Sequence, residues 1–261
     1  MNLHPLPGQR SIVEPSACPG PALRLRNAAR DRVLAVVSHE LKQPLNVIRM
    51  NAELLQRLPA AGASARVRGI AEAIQRAIEN QTRLINDLLD FSRARTGKLA
   101  LHCRPLDFGE LALELVATLR AGWSAGSIRV EMLAAEPLRC HADPVRLQQI
   151  VGNLLDNAMK FSPAGAEVVL RLSCEDGFAR CSVVDSGCGI APEFLPHVFG
   201  LFSQAGAEGA HGGLGIGLAL VHGFTVAHGG FVKAVSAGVG RGAEFSVWLP
   251  LQRPGAAMHA A

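Results

Sequence analysis

The chain has 261 residues, of which 49% are hydrophobic and 18% are charged, so it fits a soluble globular protein with room for two modest domains. Its net charge of +4 is small and dispersed, and no basic cluster is interleaved with aromatic residues, which argues against nucleic acid as a partner. No run reaches the roughly 18 apolar residues of a membrane span, so we expect no membrane insertion.

Residues 1–26 predict a disordered leader, because prolines interrupt it throughout and it lacks the apolar segment of a signal peptide. It leaves no room for a sensor domain before the first helix. If the chain is complete, its stimulus must come through a separate sensor protein or through the catalytic part itself. The six cysteines form no zinc-binding spacing and predict buried thiols in a reducing cytoplasm.

Residues 27–96 predict a helical hairpin. Apolar residues recur with helical spacing from Ala28 to about Leu58 and again from Ser64 to Arg95, with a Pro/Gly break between them. The second helix carries two apolar stripes. They are Ile70, Ile74, Ala77, Leu84, Leu88 and Phe91, and beside them Ala71, Ile78 and Ile85. A single hairpin cannot bury both stripes, so we predict that two hairpins pair into a four-helix bundle in a homodimer.

His39 lies in the first predicted helix, within the sequence Ser-His-Glu-Leu-Lys-Gln-Pro-Leu. It follows the core position Ser38 and therefore lies about 100° round the helix, at the edge of the buried seam. A neutral imidazole in this position suits nucleophilic attack on a phosphoryl group. Glu40 could hold the ring or accept its proton, and Pro44 predicts a kink nearby.

Residues 97–105 predict a linker, residues 106–252 an α/β domain, and residues 253–261 a flexible tail. We expect helices at Leu106–Leu119, Val145–Lys160 and Leu214–Ala227, and strands at Ile128–Leu133, Val168–Cys174, Ala179–Asp185, Phe231–Val235 and Ala243–Leu249. This mixture predicts a two-layer α/β sandwich.

Two asparagines lie four residues apart in the helix predicted at Val145–Lys160. Asn153 and Asn157 therefore share a face of that helix. Their amide oxygens are hard neutral ligands that suit Mg²⁺. Lys160, one turn further on, can reach a phosphate.

Asp185, Gly187 and Gly189 follow a predicted strand in the pattern D-x-G-x-G. A carboxylate at a strand end can accept a hydrogen bond from the amino group of adenine, and the two glycines let the backbone approach the base.

Phe199 and Phe202, three residues apart, are compatible either with core packing or with anchoring the segment that follows.

The small, Gly-rich stretch Gln204–Gly212 predicts a mobile lid. Gly213, Gly215, Gly217 and Leu218 then open the next helix, where backbone N–H groups and the helix N-terminus suit a triphosphate. No Lys-Ser/Thr follows these glycines, which excludes a Walker P-loop, and their late position without an opening βαβ unit argues against a dinucleotide fold.

The motif around His39 and the later glycine loops together resemble the sensor histidine kinases of two-component systems, from about Ala28 to Pro250. The resemblance implies an α + α/β architecture, in which a dimeric four-helix bundle precedes an ATP-binding sandwich. It implies that ATP phosphorylates His39 and that the phosphoryl group passes to an aspartate of a separate response regulator. It further implies that Asn157 binds Mg²⁺, that Asn153 supports it, and that Lys160 meets the phosphates.

Gln43 departs from the family pattern. Many relatives carry Thr or Asn four residues after the acceptor histidine, where it supports dephosphorylation of the partner. Glutamine can still bond a water molecule but is longer, so phosphatase activity is an open question for this chain. Whether His39 is phosphorylated in cis or in trans depends on the loop from Leu58 to Ser64, and the sequence leaves both open.

Two alternative functions compete with the kinase. An ATPase of the gyrase or chaperone type resembles the chain in its nucleotide loops but typically has Glu where Asn153 stands, and an amide cannot accept a proton from water. The second alternative is a scaffold that binds a receiver domain without turning over ATP. Intact Asn157, Asp185 and loop glycines argue against it.

Overall fold

The computed structural model describes residues 41–42, 44–55, 64–123, 126–203 and 215–252. Within the first predicted helix the backbone is helical at 41–42 and 44–55, which together form α1. His39, Glu40 and Gln43 lie outside the described residues, as do the leader, the whole predicted lid and the C-terminal tail.

The second helix of the hairpin, α2 (Ser64–Arg95), has the bounds that its periodicity predicts. Its two apolar stripes differ in environment. Ala77 of the first stripe is 5% exposed, whereas Ile78 and Ile85 of the second are 50% and 43% exposed, and Leu89 is 49% exposed. A single chain therefore leaves the second stripe in contact with water.

Beyond the hairpin, one sheet forms the base of the second part of the chain. Its strands are β2 (Ser127–Met132), β4 (Glu167–Glu175), β5 (Phe178–Asp185), β6 (Phe231–Val235) and β7 (Ala243–Pro250). They are ordered β2-β4-β5-β7-β6, with β2 parallel to β4 and the remaining pairs antiparallel. The β4–β5 turn consists of Asp176 and Gly177, both with positive φ, a conformation that matches the twist of a tight hairpin.

Three helices cover one face of this sheet. They are α3 (Phe108–Gly122), α4 (Pro144–Phe161) and α5 (Gly217–Ala227). Val168, Leu170 and Leu172 alternate along β4 toward the helices and are fully buried, as is Ile150 of α4. The predicted fold class, a helical hairpin followed by a two-layer α/β sandwich, is therefore confirmed.

Two short strands were missing from the prediction. They are β1 (Arg104–Asp107) and β3 (Arg139–Ala142), which pair antiparallel as a separate small sheet. Four residues are too few to show a period, so neither strand is visible in the sequence.

The helix predicted from Leu106 begins only at Phe108, because the Asp107 side chain caps it by accepting the N–H of Gly109 at 2.7 Å.

The start of α5 was also predicted too early. The helix begins at Gly217 rather than Leu214. Gly215 has φ of +64°, in the left-handed region, so a right-handed helix cannot run through it. Gly215 thus lies in the turn that leads into the helix, and the helix itself starts at Gly217.

Among the described residues, no helix is both long enough and apolar enough to cross a bilayer. No group of three or more His, Cys, Asp or Glu side chains in that part of the chain is placed to hold a metal ion.

Cys140 and Cys181 are buried as predicted, whereas Cys174 and Cys188 are exposed and depart from that prediction.

His228 joins the end of α5 to the start of α4. Its Nδ1 donates to the carbonyl oxygen of Phe224 at 2.7 Å, while its Nε2 accepts the N–H of Asp143, the residue that caps α4, at 3.0 Å. This pattern requires a neutral ring with its proton on Nδ1. Burial lowers the pKa of His228 below its ordinary value, against the opposing effects of the Phe224 carbonyl and the Asp143 charge.

We expect this junction to make folding stability pH-dependent. The unfolded imidazole takes up a proton near pH 6.5, while the folded one resists protonation, so stability contributed by neutral His228 is lost as the pH falls below about 6.5. Urea unfolding at about pH 7.5 and about pH 5.5 would measure it. The His228→Gln variant, which cannot titrate, should lose this contribution, so wild type should lose more stability than the variant on acidification. Equal losses in both proteins would contradict the prediction.

Candidate functional site

Helix α4 forms the floor of the candidate site. Asn153 and Asn157 are half-buried along its edge, and Lys160 is exposed in the last turn. The opposite side of the helix is buried against the sheet. Because side chains four residues apart align on a helix, the two amides form one polar strip beside the core. The Lys160 ammonium lies 4.8 Å from the centre of the Phe161 ring.

The start of α5 lies against this strip. A Cβ atom added at Gly217 would come 3.5 Å from Oδ1 of Asn153, so the backbone of the first turn of α5 adjoins the amide. Ile216 precedes the helix and has no side-chain group that could cap it. Within the part of the chain that the structure describes, no side chain caps the start of α5, and the helix dipole makes this end favourable for an anion.

Two residues close the base of the predicted lid. The N–H of Phe202 donates to the carbonyl oxygen of Gly215 at 3.1 Å, so both ends of the intervening segment are held together. A Cβ atom at Gly215 would lie 2.8 Å from the carbonyl oxygen of Ser203. Gly213 falls within the undescribed segment, while Leu218 lies half-buried in the first turn of α5.

Asp185 ends β5 at the other side of α4. Its side chain is 9% exposed, and its Oδ1 accepts the N–H of Gly187 at 2.8 Å. Burial raises the pKa of Asp185, and hydrogen bonds from the backbone of Gly187 and Ala243 oppose that rise. A largely buried carboxyl group fixed by a backbone hydrogen bond is oriented to recognise one hydrogen-bonding partner.

Gly187 and Gly189 are both required by close packing. A Cβ atom at Gly187 would lie 2.4 Å from the carbonyl oxygen of Phe161, at the end of α4. At Gly189, where φ is +66°, it would lie 2.0 Å from the carbonyl oxygen of Gly238. The loop after Asp185 can follow this path only without side chains at these positions.

A second loop, residues 236–242, supports the first. The Ser236 hydroxyl accepts the N–H of Ile190 at 3.0 Å and donates to the carbonyl oxygen of Gly242 at 2.7 Å. Gly240 donates to the carbonyl of Cys188 at 2.7 Å. Sequence reasoning missed Ser236, because an isolated serine carries no signal of the loop it will bond.

Phe199 packs between α5 and the sheet. Its ring lies edge-on to Phe245 of β7 at 6.2 Å between centroids and is 6.3 Å from the ring of His222 in α5. Phe202 is half-buried with φ of +57°. Phe199 is half-buried as well, and both residues immediately precede the predicted lid.

Two family models match the chain. Residues 142–253 match the histidine kinase-, DNA gyrase B- and HSP90-like ATPases, and residues 29–97 match the His Kinase A phospho-acceptor domain. The first match contains α4 with its two asparagines, the glycine loop after Asp185 and the glycines before α5. The second match contains His39.

Curated relatives carry both parts in the same order. Circadian input-output histidine kinase CikA of Synechococcus elongatus is 38% identical over 232 residues, covering 87% of this chain and 30% of that protein. Histidine protein kinase DivJ of Caulobacter vibrioides is 34% identical over 226 residues, covering 86% of this chain and 38% of that protein. The chain thus spans about a third of the length of these two relatives.

Solved structures show the same architecture. Full-length ShkA in complex with AMPPNP is 29% identical, with a TM-score of 0.63 over 88% of this chain and 48% of that one. The histidine kinase AdeS of Acinetobacter baumannii, at 20% identity and a TM-score of 0.62, covers 82% of this chain and 98% of that one and shares its fold.

The packing of Gly187 yields a prediction with an internal control. Gly187→Ala should displace the loop from Phe161 at a cost on the order of 1–3 kcal/mol and weaken adenine-nucleotide binding accordingly. Gly152→Ala, in α4, places its Cβ atom where nothing lies within 4 Å, so it should leave binding unchanged and stabilise the helix by roughly 0.5–1 kcal/mol. Calorimetric titration with ADP and urea unfolding measure both effects. Unaltered ADP affinity in Gly187→Ala would refute the assignment of this loop.

Proposed function

The chain belongs to the sensor histidine kinases of two-component signalling, and we propose that it uses ATP to phosphorylate His39 and then passes the phosphoryl group to an aspartate of a separate response regulator. One observation supports this most directly. The same chain contains a phospho-acceptor match that includes His39 and an ATPase match whose glycine loops pack against α4. Because the reaction consumes ATP, we place it in the cytoplasm.

Asp185 is the proposed adenine-binding residue. Its carboxylate lies at the end of β5, largely shielded from water, with one oxygen already engaged by Gly187. A buried acceptor in this position can form a hydrogen bond with a base that offers an amino group. A base with a carbonyl group there cannot form that bond, so it would bind less tightly. Gly187 and Gly189 would let the base lie against the backbone.

The triphosphate would lie between α4 and the start of α5. Asn153 and the backbone at Gly217 adjoin each other there, and Lys160 lies further along the same helix. Amide oxygens on a half-buried helix edge fit Mg²⁺, which prefers oxygen ligands and keeps several waters. We propose Asn157 as its ligand and Asn153 as the supporting residue; a bound Mg²⁺ would neutralise phosphate charge.

In the proposed reaction, an imidazole nitrogen of His39 attacks the γ-phosphorus of ATP. The bond from that phosphorus to the β–γ bridging oxygen breaks, and ADP leaves with the bonding electrons. The ring then gives up the proton from its second nitrogen, for which Glu40, its neighbour in sequence, is the proposed acceptor. In the second step, an aspartate carboxylate of the receiver attacks the phosphorus, the P–N bond breaks, and a proton returned to the ring regenerates the neutral imidazole.

A homodimer is the assembly that best explains the hairpin. Ile78, Ile85 and Leu89 expose one side of α2 to water, and α1 exposes Leu45 and Met50. Pairing with a second hairpin would bury these side chains, each contributing about 1.5–3 kcal/mol when fully buried. We therefore propose a dimeric four-helix bundle as the carrier of His39.

Labelling with γ-labelled ATP and Mg²⁺ tests the proposed activity. Wild type should take up label that survives alkali and is lost in acid, as a phosphoramidate requires, and His39→Gln should take up none. Asp185→Asn retains the acceptor histidine but alters the carboxyl group that we assign to adenine, so we expect its label to fall at least about tenfold. Label that persists in His39→Gln would exclude His39 as the acceptor.

The dimer is tested by introducing charge on the exposed stripe. Ile78→Glu combined with Ile85→Glu should convert a dimer to a monomer in light scattering, because carboxylates cannot be buried between hairpins. Glu72→Gln, on the solvated surface of the same helix, serves as a control that should stay dimeric. A double variant that stays dimeric would show that this stripe is not the interface.

A further inference from the structure

The hydroxyl group of Ser236 bonds to three backbone groups at once. Ser236 directly follows the edge strand β6 and is half-buried. Its Oγ donates to the carbonyl oxygen of Gly242 at 2.7 Å and accepts the N–H groups of Ile190 at 3.0 Å and Gly238 at 3.3 Å. The carbonyl oxygen of Gly238, at 3.4 Å, is a more distant acceptor for the same hydrogen. A hydroxyl has one hydrogen to donate and two lone pairs, so the three shorter bonds use its full capacity.

These bonds join the loop after β5, residues 186–190, to the loop of residues 236–242. The two loops also meet through their backbones, where the N–H of Gly240 donates to the carbonyl oxygen of Cys188 at 2.7 Å. Three of the seven residues in the second loop are glycines, so that loop has little stiffness of its own. Its path therefore depends on hydrogen bonds of this kind, and Ser236 supplies the side chain for three of them.

One peptide group connects Ser236 to the Asp185 carboxylate. The carbonyl of Gly242, which accepts the Ser236 hydrogen, and the N–H of Ala243 belong to the same planar unit. That N–H donates a hydrogen bond to the Asp185 side chain. In a trans peptide the C=O and the N–H point in opposite directions, so the hydroxyl holds one side of the plane while the carboxylate is bound at the other.

Both backbone donors that orient Asp185 lie in the loops that Ser236 joins. The N–H of Gly187, at 2.8 Å, comes from the loop after β5, and the N–H of Ala243 directly follows the second loop. The peptide group between them is tightly packed, because a Cβ atom at Gly242 would lie 2.1 Å from the carbonyl oxygen of Asp185. A shift of either loop would therefore turn the carboxylate.

We propose that Ser236 is a positioning residue for adenine recognition, which makes the site selective for adenine by holding the Asp185 carboxylate through the Gly242–Ala243 peptide group. This inference rests on the proposed function, in which Asp185 accepts the amino group of the base. A buried acceptor discriminates between bases only while it is held in one orientation, because a carboxylate that can turn also finds water or another donor. Ser236 acts through the peptide group and does not need to touch the base.

A purely structural role for Ser236 predicts a different pattern of binding. Loss of its hydroxyl would then displace the loops as a whole and weaken every nucleotide by the same factor. A positioning role predicts instead that the loss falls on nucleotides whose base offers an amino group to Asp185. ADP and inosine diphosphate separate the two roles, because ADP carries that amino group where inosine diphosphate carries a carbonyl oxygen.

Calorimetric titration of the full chain with ADP and with inosine diphosphate tests the proposal. In Ser236→Ala we expect the affinity for ADP to fall about fivefold to thirtyfold and the affinity for inosine diphosphate to fall much less, so the preference for ADP narrows. Ser236→Thr keeps the hydroxyl and should restore most of that preference. Ser246→Ala is the matched control, because it removes a serine hydroxyl of β7 that is 3% exposed and bonds to Glu244 and Arg180. Its two affinities should equal those of wild type.

A double-variant cycle with Asp185→Asn tests whether Ser236 acts through the carboxylate. Asp185→Asn should already have lost most of the preference for ADP. Adding Ser236→Ala to it should then change the ratio of the two affinities by less than about twofold. The ratio is insensitive to partial unfolding, because an unfolded fraction weakens both nucleotides equally. Urea unfolding of each variant measures that fraction independently.

The outcomes separate this inference from the proposed function. If wild type binds ADP and inosine diphosphate equally, Asp185 does not recognise adenine and both proposals fail. If wild type prefers ADP and Ser236→Ala keeps that preference, the assignment of Asp185 stands and the positioning role of Ser236 is wrong. An equal loss of affinity for both nucleotides in Ser236→Ala would also overturn it, since the hydroxyl would then only stabilise the loops. Preference lost in Ser236→Ala and regained in Ser236→Thr supports the proposal.

Discussion

Burial of one face of helix α4 against the sheet is the constraint on which the site depends. Leu147, Ile150 and Leu154 are at most 1% exposed, so the rotation of the helix about its axis is fixed by the core. That rotation carries Asn153 and Asn157 to the edge of the core, where an amide can meet both water and a ligand. The polar strip is thus oriented by apolar packing, since turning the helix would expose those buried leucines.

Two glycine loops acquire their positions from the same helix. The loop after β5 abuts the end of α4 through Gly187 and Phe161, and the start of α5 abuts its middle through Gly217 and Asn153. The approach at Gly187 leaves no room for a side chain, whereas an added Cβ atom at Gly217 would make ordinary van der Waals contact with Asn153. Helix α4 also provides Arg146, which pairs with Asp90 of α2 and makes α4 the element shared by the sheet, the nucleotide loops and the hairpin.

Strong local signals explain which elements sequence reasoning placed well. The full extent of α2 follows from its two apolar stripes, and the β4–β5 hairpin follows from alternation around Asp176 and Gly177. Weak local signals explain the errors at β1 and β3, whose four residues show no period, and at α5, where the left-handed Gly215 lies inside an apparently helical stretch. Ser236 was missed because its partners are distant in the chain.

The sequence by itself determined the class of the protein, since residues that react with or bind phosphate must occur at fixed local spacings: the histidine beside Glu40, the asparagines four apart, and the glycines next to Asp185. Only the tertiary structure decided how those segments meet. The Asp90–Arg146 pair spans 56 positions, and the His228–Asp143 bond spans 85. Such contacts leave no periodic pattern in the sequence. They depend on how helices pack across the core, and that packing exists only in the folded chain.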